Sequence, residues 1–489
     1  MPTPDSALSF QSTRNDDARP ATKIVATIGP ASEDRIIALL DAGMAVARIN
    51  FSHGTDEDHR RRVEKVRTAA RLRGMAVGIL ADIQGPKMRL GQLAGGEARL
   101  QTGQIVRLVE GAKSTDPAVI PLNFSGFRST VKPQHRVLLA DAAVELVITA
   151  VESDALVARV QRAGFIADRK GVHFPDSLLT AELPTAQDRK HISLSQELGI
   201  DFLGVSFVSR AADLERIRDL APNMLLVAKI ERRAALDDLK GILEASDGVM
   251  VARGDLGVEV NLEYLPLVQK HLIAESVKAG KFVITATEML ESMVHASRPT
   301  RAEVTDVANA VLDGTDAVML SAETAVGEYP VEAVRAMARI ARAVETSTRY
   351  QEVSRVSFRQ NEPTFSNATA LAAAQAAEAL KIGKIICFTE TGNTVRLLSR
   401  YRVAGEIIAL TPSERTLHAM TVLSHVRPIL CARETSLEDM LHEAQIALLE
   451  SGSCVNGEEV IFVAGVPPGV ARSTNVMKLH RIGEQTRFQ

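Results

Sequence analysis

The chain has 489 residues, 46% of them hydrophobic, which suits two to four domains with sizeable cores. With 57 basic and 60 acidic residues the net charge is −3, no electrostatic footprint for nucleic acid, and no apolar run approaches the roughly 20 residues of a membrane span. Aromatics make up only 4%, without Trp, while Ala, Val, Leu and Ile abound, a balance that favours parallel α/β layers over a β-sandwich.

Residues 1–19 are polar, with Pro2, Pro4 and Asp16-Asp17, and read as a flexible tail rather than a signal peptide. Strand and helix patterns then alternate. Strands are expected at Thr22–Gly29, Ala45–Ser52 and Ala76–Asp82, with a capped helix at Ser32–Leu40 and a strongly charged one over about Thr55–Arg73. The alternation resumes at Asp201–Phe207, Leu226–Glu231, Gly248–Val251, Lys281–Thr287 and Asp316–Ser321, with one helix over Arg232–Ser246. Eight β-α units are the number that closes a (β/α)8 TIM barrel, here split into 20–86 and 184–345.

Between the halves, residues 87–183 change pattern. Short strands at Gln104–Val109, Arg136–Ala140, Val144–Thr149 and Leu156–Val160 are separated by Gly, Pro and Asp turns. They predict a small β-barrel lid domain, inserted on the catalytic side of the barrel and able to exclude water. Residues 346–366 read as a linker. From 367 to 489, strands at Lys384–Phe388, Glu406–Leu410, Arg427–Cys431 and Glu459–Val463 alternate with helices, as in a doubly wound α/β domain. Its three cysteines, Cys387, Cys431 and Cys454, lack metal or disulfide spacing and point to a reducing cytoplasm.

A barrel places its active site at the C-terminal strand ends. Those ends carry Arg48, Asn50, Ser52, His53, Asp82, Ser206, Lys229, Glu231, Arg253, Asp255, Thr287, Ser321 and Glu323. Glu231 and Asp255, the latter in a Gly-flanked loop, could each merely cap a helix or turn. So many polar groups on one rim instead suggest a site, with the two carboxylates as hard oxygen ligands for Mg²⁺ or Mn²⁺. Arg48, Arg89 and Lys229 add the positive charge that a metal-bound anionic substrate requires, and backbone N–H groups around Gly254 could hold a substrate carboxylate. The set suits phosphoryl transfer, and no nucleophile with an adjacent base is evident. In the last domain, Thr389-Glu-Thr-Gly-Asn-Thr394 opens a helix and suits a phosphate, the alternative being an ordinary capped turn.

The stretches Thr22–Ser32, Ala47–Gly54, Gln84–Pro86, Lys229–Glu231, Ala252–Val258, Thr285–Met293, Arg298–Glu303 and Met319–Thr324 resemble pyruvate kinases throughout the chain. The resemblance implies phosphoryl transfer from phosphoenolpyruvate to ADP in glycolysis, a homotetramer and a C-terminal regulatory domain. It implies catalytic roles for Lys229, Arg48, Thr287, Ser321 and Arg89, with substrate held by Arg48, Lys229, Gly254, Asp255 and Thr287. Asn50, His53 and Arg89 would line the nucleotide site, and Glu231 and Asp255 the metal site. An effector phosphate would meet Thr389, Thr391, Gly392, Asn393 and Thr394, with Gly469–Asn475 on its other side. Asn50, Ser52 and Asp82 match K⁺ ligands, but Ile83-Gln-Gly-Pro-Lys87 stands where many members carry Thr-Lys-Gly-Pro-Glu. Lys87 can then replace K⁺, unless it faces solvent, and K⁺ is not expected to be required. Glu288 replaces a common Gln. The competing readings are a metal-dependent barrel lyase acting on pyruvate or an oxo acid, and an inactive metabolite sensor.

Overall fold

The computed structural model describes residues 19–140, 142–177, 183–350, 352, 364–434, 436–467 and 474–486. The tail before residue 19, most of the linker, and 469–473 of the segment opposite the phosphate loop lie outside them. Three short strands come first, β1 (Lys23–Thr27), β2 (Met44–Asn50) and β3 (Gly78–Ile83). The inserted segment contributes β4 (Glu97–Leu100), β5 (Ile105–Glu110), β6 (Val119–Leu122), β7 (Arg136–Leu139), β8 (Val144–Val151), β9 (Ala155–Arg162), β10 (Gly164–Ala167) and β11 (Val172–His173). Then follow β12 (Phe202–Val205), β13 (Leu225–Ile230), β14 (Gly248–Ala252), β15 (Phe282–Ala286) and β16 (Ala317–Leu320). The last sheet holds β17 (Lys384–Phe388), β18 (Glu406–Thr411), β19 (Val426–Leu430), β20 (Glu459–Gly465) and β21 (Thr474–Arg481).

Eight strands close a parallel barrel in the order β1-β16-β15-β14-β13-β12-β3-β2. Each is a short, mostly buried and largely aliphatic run, because one face meets the helical ring and the other fills the barrel. The alternation is visible in β1: Ile24 and Ala26 join the core under the helices, whereas Val25 points inward with Val46, Leu80, Val227 and Met250. That interior core continues without a break into Ile385 and Val463 of the C-terminal sheet and Ala370 and Val395 of the helices beside it, so that the C-terminal domain closes the barrel floor. The approach is tight: a Cβ on Gly78 would come within 2.4 Å of Thr421 Oγ1.

Charge locks the same floor. Asp316, at the foot of β16, accepts from Val283 N–H at 3.0 Å and pairs with the buried guanidinium of Arg402 at 2.8 Å. Ser424 N–H, just before β19, adds a second bond from the C-terminal domain to Asp316 at 3.2 Å. Asp201, at the foot of β12, repeats the device by accepting from Ile79 N–H at 2.7 Å while facing Arg67 and His418.

Several sequence expectations need correction. The helix expected at Ser32 begins at Ile36 without a side-chain cap, because the Ser32 hydroxyl closes the turn back to Gly29 instead. By contrast, Thr55 caps the charged helix Asp56–Arg73 through a capping box with Asp58. The single helix over Arg232–Ser246 is broken into Ala234–Asp237 and Leu239–Ala245 at Asp238, whose carboxylate is drawn off to Ala211 N–H at 2.8 Å. The inserted segment forms no closed barrel among the described residues. It is a six-stranded sheet, β11-β7-β8-β9-β5-β6, with a two-stranded ribbon β10-β4. Both pack on one core that includes Leu108, Phe127, Val137 and Phe174. The C-terminal sheet has order β19-β18-β17-β20-β21, with β21 antiparallel at its edge. Among the described residues no helix is long and apolar enough to cross a membrane.

Candidate active site

The C-terminal strand ends converge on a buried cluster of alternating charge. Lys229, on β13, places its ammonium 2.9 Å from Asp82 Oδ1, 2.8 Å from Glu231 Oε1 and 2.6 Å from Ser206 Oγ. The other Asp82 oxygen takes Arg48 at 2.7 and 2.8 Å, and Arg48 also donates to Thr27 Oγ1 at 2.9 Å. One carboxylate at the end of β3 therefore spaces two cations from β2 and β13. Burial works to lower the Lys229 pKa, but Asp82 and Glu231 outweigh it and hold it above the ordinary lysine value. Lys229 is thus a fixed cation at any physiological pH.

Asp255 lies in a short helix, Arg253–Glu259, that starts directly from β14, not in the open loop its glycines suggested. Two side chains from the inserted domain face it. Lys87 Nζ donates to Asp255 Oδ1 at 3.1 Å, and His173 Nε2 lies 3.8 Å away, with His173 Nδ1 3.3 Å from Glu259. Lys87 therefore does not face solvent. Its ammonium also sits 5.9 Å from the centre of the Phe207 ring. Burial acts to raise the Asp255 pKa, yet Lys87, His173 and Lys229 together bring it below the usual carboxylate value. Glu231 moves the other way. Burial and the neighbouring negative charge of Asp255 leave its pKa raised, despite Lys229.

Such a pair, the buried Glu231 and the half-buried Asp255, which repel each other beside fixed cations, fits a small divalent cation. No cluster of three or more potential ligands exists among the described residues. Two carboxylates suffice for Mg²⁺, which fills the rest of its shell with water and substrate oxygens.

The turn after β15 is strained. Thr287 and Glu288 take φ of 69° and 53°, in a region that β-branched residues avoid. It is held there by Arg253, whose guanidinium donates to the carbonyls of Thr287 at 2.6 Å and Ala286 at 3.2 Å. Thr287 Oγ1 also accepts from Gly254 N–H at 2.8 Å, so that N–H is engaged within the protein. Glu323 similarly accepts from Ser321 N–H at 2.7 Å and Leu290 N–H at 3.1 Å. Arg253 and Glu323 thus act as scaffold for the rim.

Other expected residues are placed farther out. Asn50 Oδ1 accepts from Ser52 N–H at 3.0 Å, and His53 beside them is exposed. Arg89 is bonded within the inserted domain, with its guanidinium on the Arg169 carbonyl at 3.0 Å. The structure does not bring it to the Asp82 cluster. In the C-terminal loop Thr389–Thr394, Thr389 Oγ1 accepts from Gly392 N–H at 2.8 Å, and the Thr394 hydroxyl pairs with Thr474. Only Thr391 of its three threonines is exposed, with Gly392 at φ 78° and Asn393 opening the next helix.

Sequence reasoning missed His173 and Glu259. His173 sits in a two-residue strand, too short for any periodic signal, and reaches the rim only because the inserted domain folds back on it.

Comparison with known proteins agrees with this geometry. The pyruvate kinase barrel-domain model matches residues 19–334, and the pyruvate kinase alpha/beta-domain model matches 367–480. A pyruvate kinase from Mycobacterium tuberculosis is 41% identical over 471 residues, covering 94% of this chain and 98% of the relative. One from Methylorubrum extorquens is 42% identical over 461 residues, covering 94% and 96%. A crystal structure of a pyruvate kinase from Cryptosporidium parvum superposes with TM-score 0.90 at 34% identity, covering 96% of this chain and 97% of that one. Nothing in these matches supports the barrel-lyase alternative. The chain belongs to the pyruvate kinase family, phosphotransferases that act on phosphoenolpyruvate and ADP and generally use a divalent metal.

Proposed function

We propose that this enzyme transfers phosphoryl with Mg²⁺ (or Mn²⁺) at Glu231 and Asp255, without requiring K⁺, as a cytoplasmic homotetramer activated by a phosphorylated metabolite. The observation that carries the catalytic reading is the buried Lys229, fixed between Asp82 and Glu231 with Arg48 on the far side of Asp82. A bound divalent ion would supply charge neutralisation for the phosphoryl and enolate oxygens. Lys229 and Arg48 would bracket the phosphoryl group as its bond to the enol oxygen breaks and a bond to the terminal phosphate oxygen of ADP forms. Thr287, with Ser321, would relay a proton through water to the methylene carbon of the enolate, giving pyruvate. Asn50, His53 and Arg89 would contact the nucleotide, Arg89 only after leaving the Arg169 carbonyl. Residues 20–86 and 184–345 form the catalytic barrel on this reading, 87–183 the lid and 367–489 the regulatory domain.

K⁺ independence rests on Lys87. Its ammonium lies within 3.1 Å of a metal-site carboxylate, so a fixed positive charge is already present beside that site. The tetramer is supported by two separate exposed apolar patches. Leu262, Tyr264 and Leu267 are 70%, 55% and 62% exposed on the barrel, and Phe365 and the edge-strand Leu479 are 86% and 50% exposed on the C-terminal domain. Two different self-complementary contacts generate a closed tetramer. Effector phosphate would meet Thr391 and backbone N–H groups at the start of helix Asn393–Ser399, since the other two threonines are engaged. Three free thiols support a reducing cytoplasm.

A coupled assay with phosphoenolpyruvate, ADP and Mg²⁺ tests these points, run in K⁺ and in tetramethylammonium and across a panel of sugar phosphates. Equal rates in the two salts are expected, together with activation by at least one sugar phosphate. Lys87→Glu should make the rate rise severalfold on adding K⁺. A wild-type rate that collapses in tetramethylammonium would refute the role of Lys87.

A further inference from the structure

We propose that Asp188 is a positioning residue for the transfer reaction: it joins both chain crossings between barrel and lid and thereby fixes Lys87 on Asp255. The assignment rests on the reading of Lys87 given above. Asp188 is fully buried in the first turn of the helix Ala186–Glu197, which follows the lid. Its Oδ1 accepts from Gly85 N–H at 3.0 Å, on the outgoing crossing. Its Oδ2 accepts from Thr185 N–H at 2.9 Å and from the Thr185 hydroxyl at 2.7 Å, on the returning one.

The outgoing crossing is a stiff bracket. Gly85 takes φ 64°, and a Cβ there would come within 2.8 Å of the Ser206 carbonyl oxygen, so the chain lies directly on the Ser206–Phe207 turn. That turn serves the catalytic cluster, with Ser206 Oγ on Lys229 at 2.6 Å and Phe207 N–H on Glu231 at 2.8 Å. Two residues on, Lys87 N–H closes back on the Gly85 carbonyl at 2.9 Å, which aims the Lys87 side chain across Phe207 at Asp255. Release of Gly85 would free the base from which Lys87 reaches.

A carboxylate suits this position and an amide does not. All three of its partners are donors, and Asn would turn an NH₂ group toward one set of them. Asp188→Asn is therefore expected to lower kcat/KM by about tenfold. In a Lys87→Met background the same change should cost less than about twofold, because the group it positions is already gone. In the substrate-free full-length protein, Asp188→Asn should also speed amide hydrogen exchange at Gly85 and Lys87.

Equal losses in the two backgrounds would overturn the assignment, since Asp188 would then be acting on the barrel and not through Lys87. Unchanged exchange at Gly85 would overturn it as well. A Lys87→Met variant with unaltered kcat/KM would sink the reading of Lys87 itself, a failure visible before Asp188 is changed.

Discussion

Replacing Lys229 by Met is expected to lower kcat by about 10²–10³-fold, roughly 3–4 kcal/mol of lost transition-state stabilisation. The ammonium is held by three oxygens, from Asp82, Glu231 and Ser206, so it does not have to be reorganised as charge moves from the enol oxygen to the transferring phosphoryl. If it acts mainly in the transition state, kcat and kcat/KM should fall together, with little change in KM. The substitution also leaves Glu231 buried without its ammonium, while Asp82 keeps Arg48. Turnover should therefore be referred to the folded fraction, measured by circular dichroism at the assay temperature. Near-normal turnover in the folded variant would remove Lys229 from the chemistry.

What could be read from the sequence follows from which physical signals are local. Every barrel strand was legible, because each is an aliphatic run buried on both faces and bounded by polar residues, as in Lys23–Thr27 and Ala317–Leu320. Two short strands of the inserted domain, Val119–Leu122 and Val172–His173, carry too little pattern to be told from turns. The edge strand Thr474–Arg481 was missed although its burial alternates along most of its length, because its start was read as a ligand-contacting loop. In the site, residues at strand ends could be placed by register alone. Contacts made by the lid could not, since His173 and Lys87 meet Asp255 only through tertiary folding. The loop around Asp255 became a helix for a related reason: Arg253 is drawn to the Thr287 turn and to Asp306 at 2.7 Å, which overrides the preference of its glycines for open turns.

Asp82→Asn is expected to be the more damaging change for stability. Among the described residues Asp82 is the only carboxylate that touches both Arg48 and Lys229, and all three side chains are almost fully buried. Neutralising it leaves Arg48 its bond to Thr27, and Lys229 its contacts with Glu231 and the Ser206 hydroxyl, so the loss should be about 3–5 kcal/mol, as for a broken buried pair. The sign of its pH dependence is fixed by the same contacts. Burial acts to raise the Asp82 pKa, but Lys229 and Arg48 outweigh it and depress the folded value below the roughly 3.9 of an unfolded aspartate. A depressed carboxylate contributes stability that is fully present above its unfolded pKa and is lost as pH falls through the folded one. Calorimetry of the parent should therefore show the barrel transition falling in temperature as pH drops below about 4. The Asn variant should start lower at pH 7 and fall less steeply on the acid side. Removal of the Asp82 charge also relieves one of the influences that raise the Glu231 pKa, and so eases ionisation of the proposed metal-site carboxylate. A variant that melts with the parent at pH 7 and runs parallel to it in acid would mean that Arg48 and Lys229 are held apart by something other than this carboxylate.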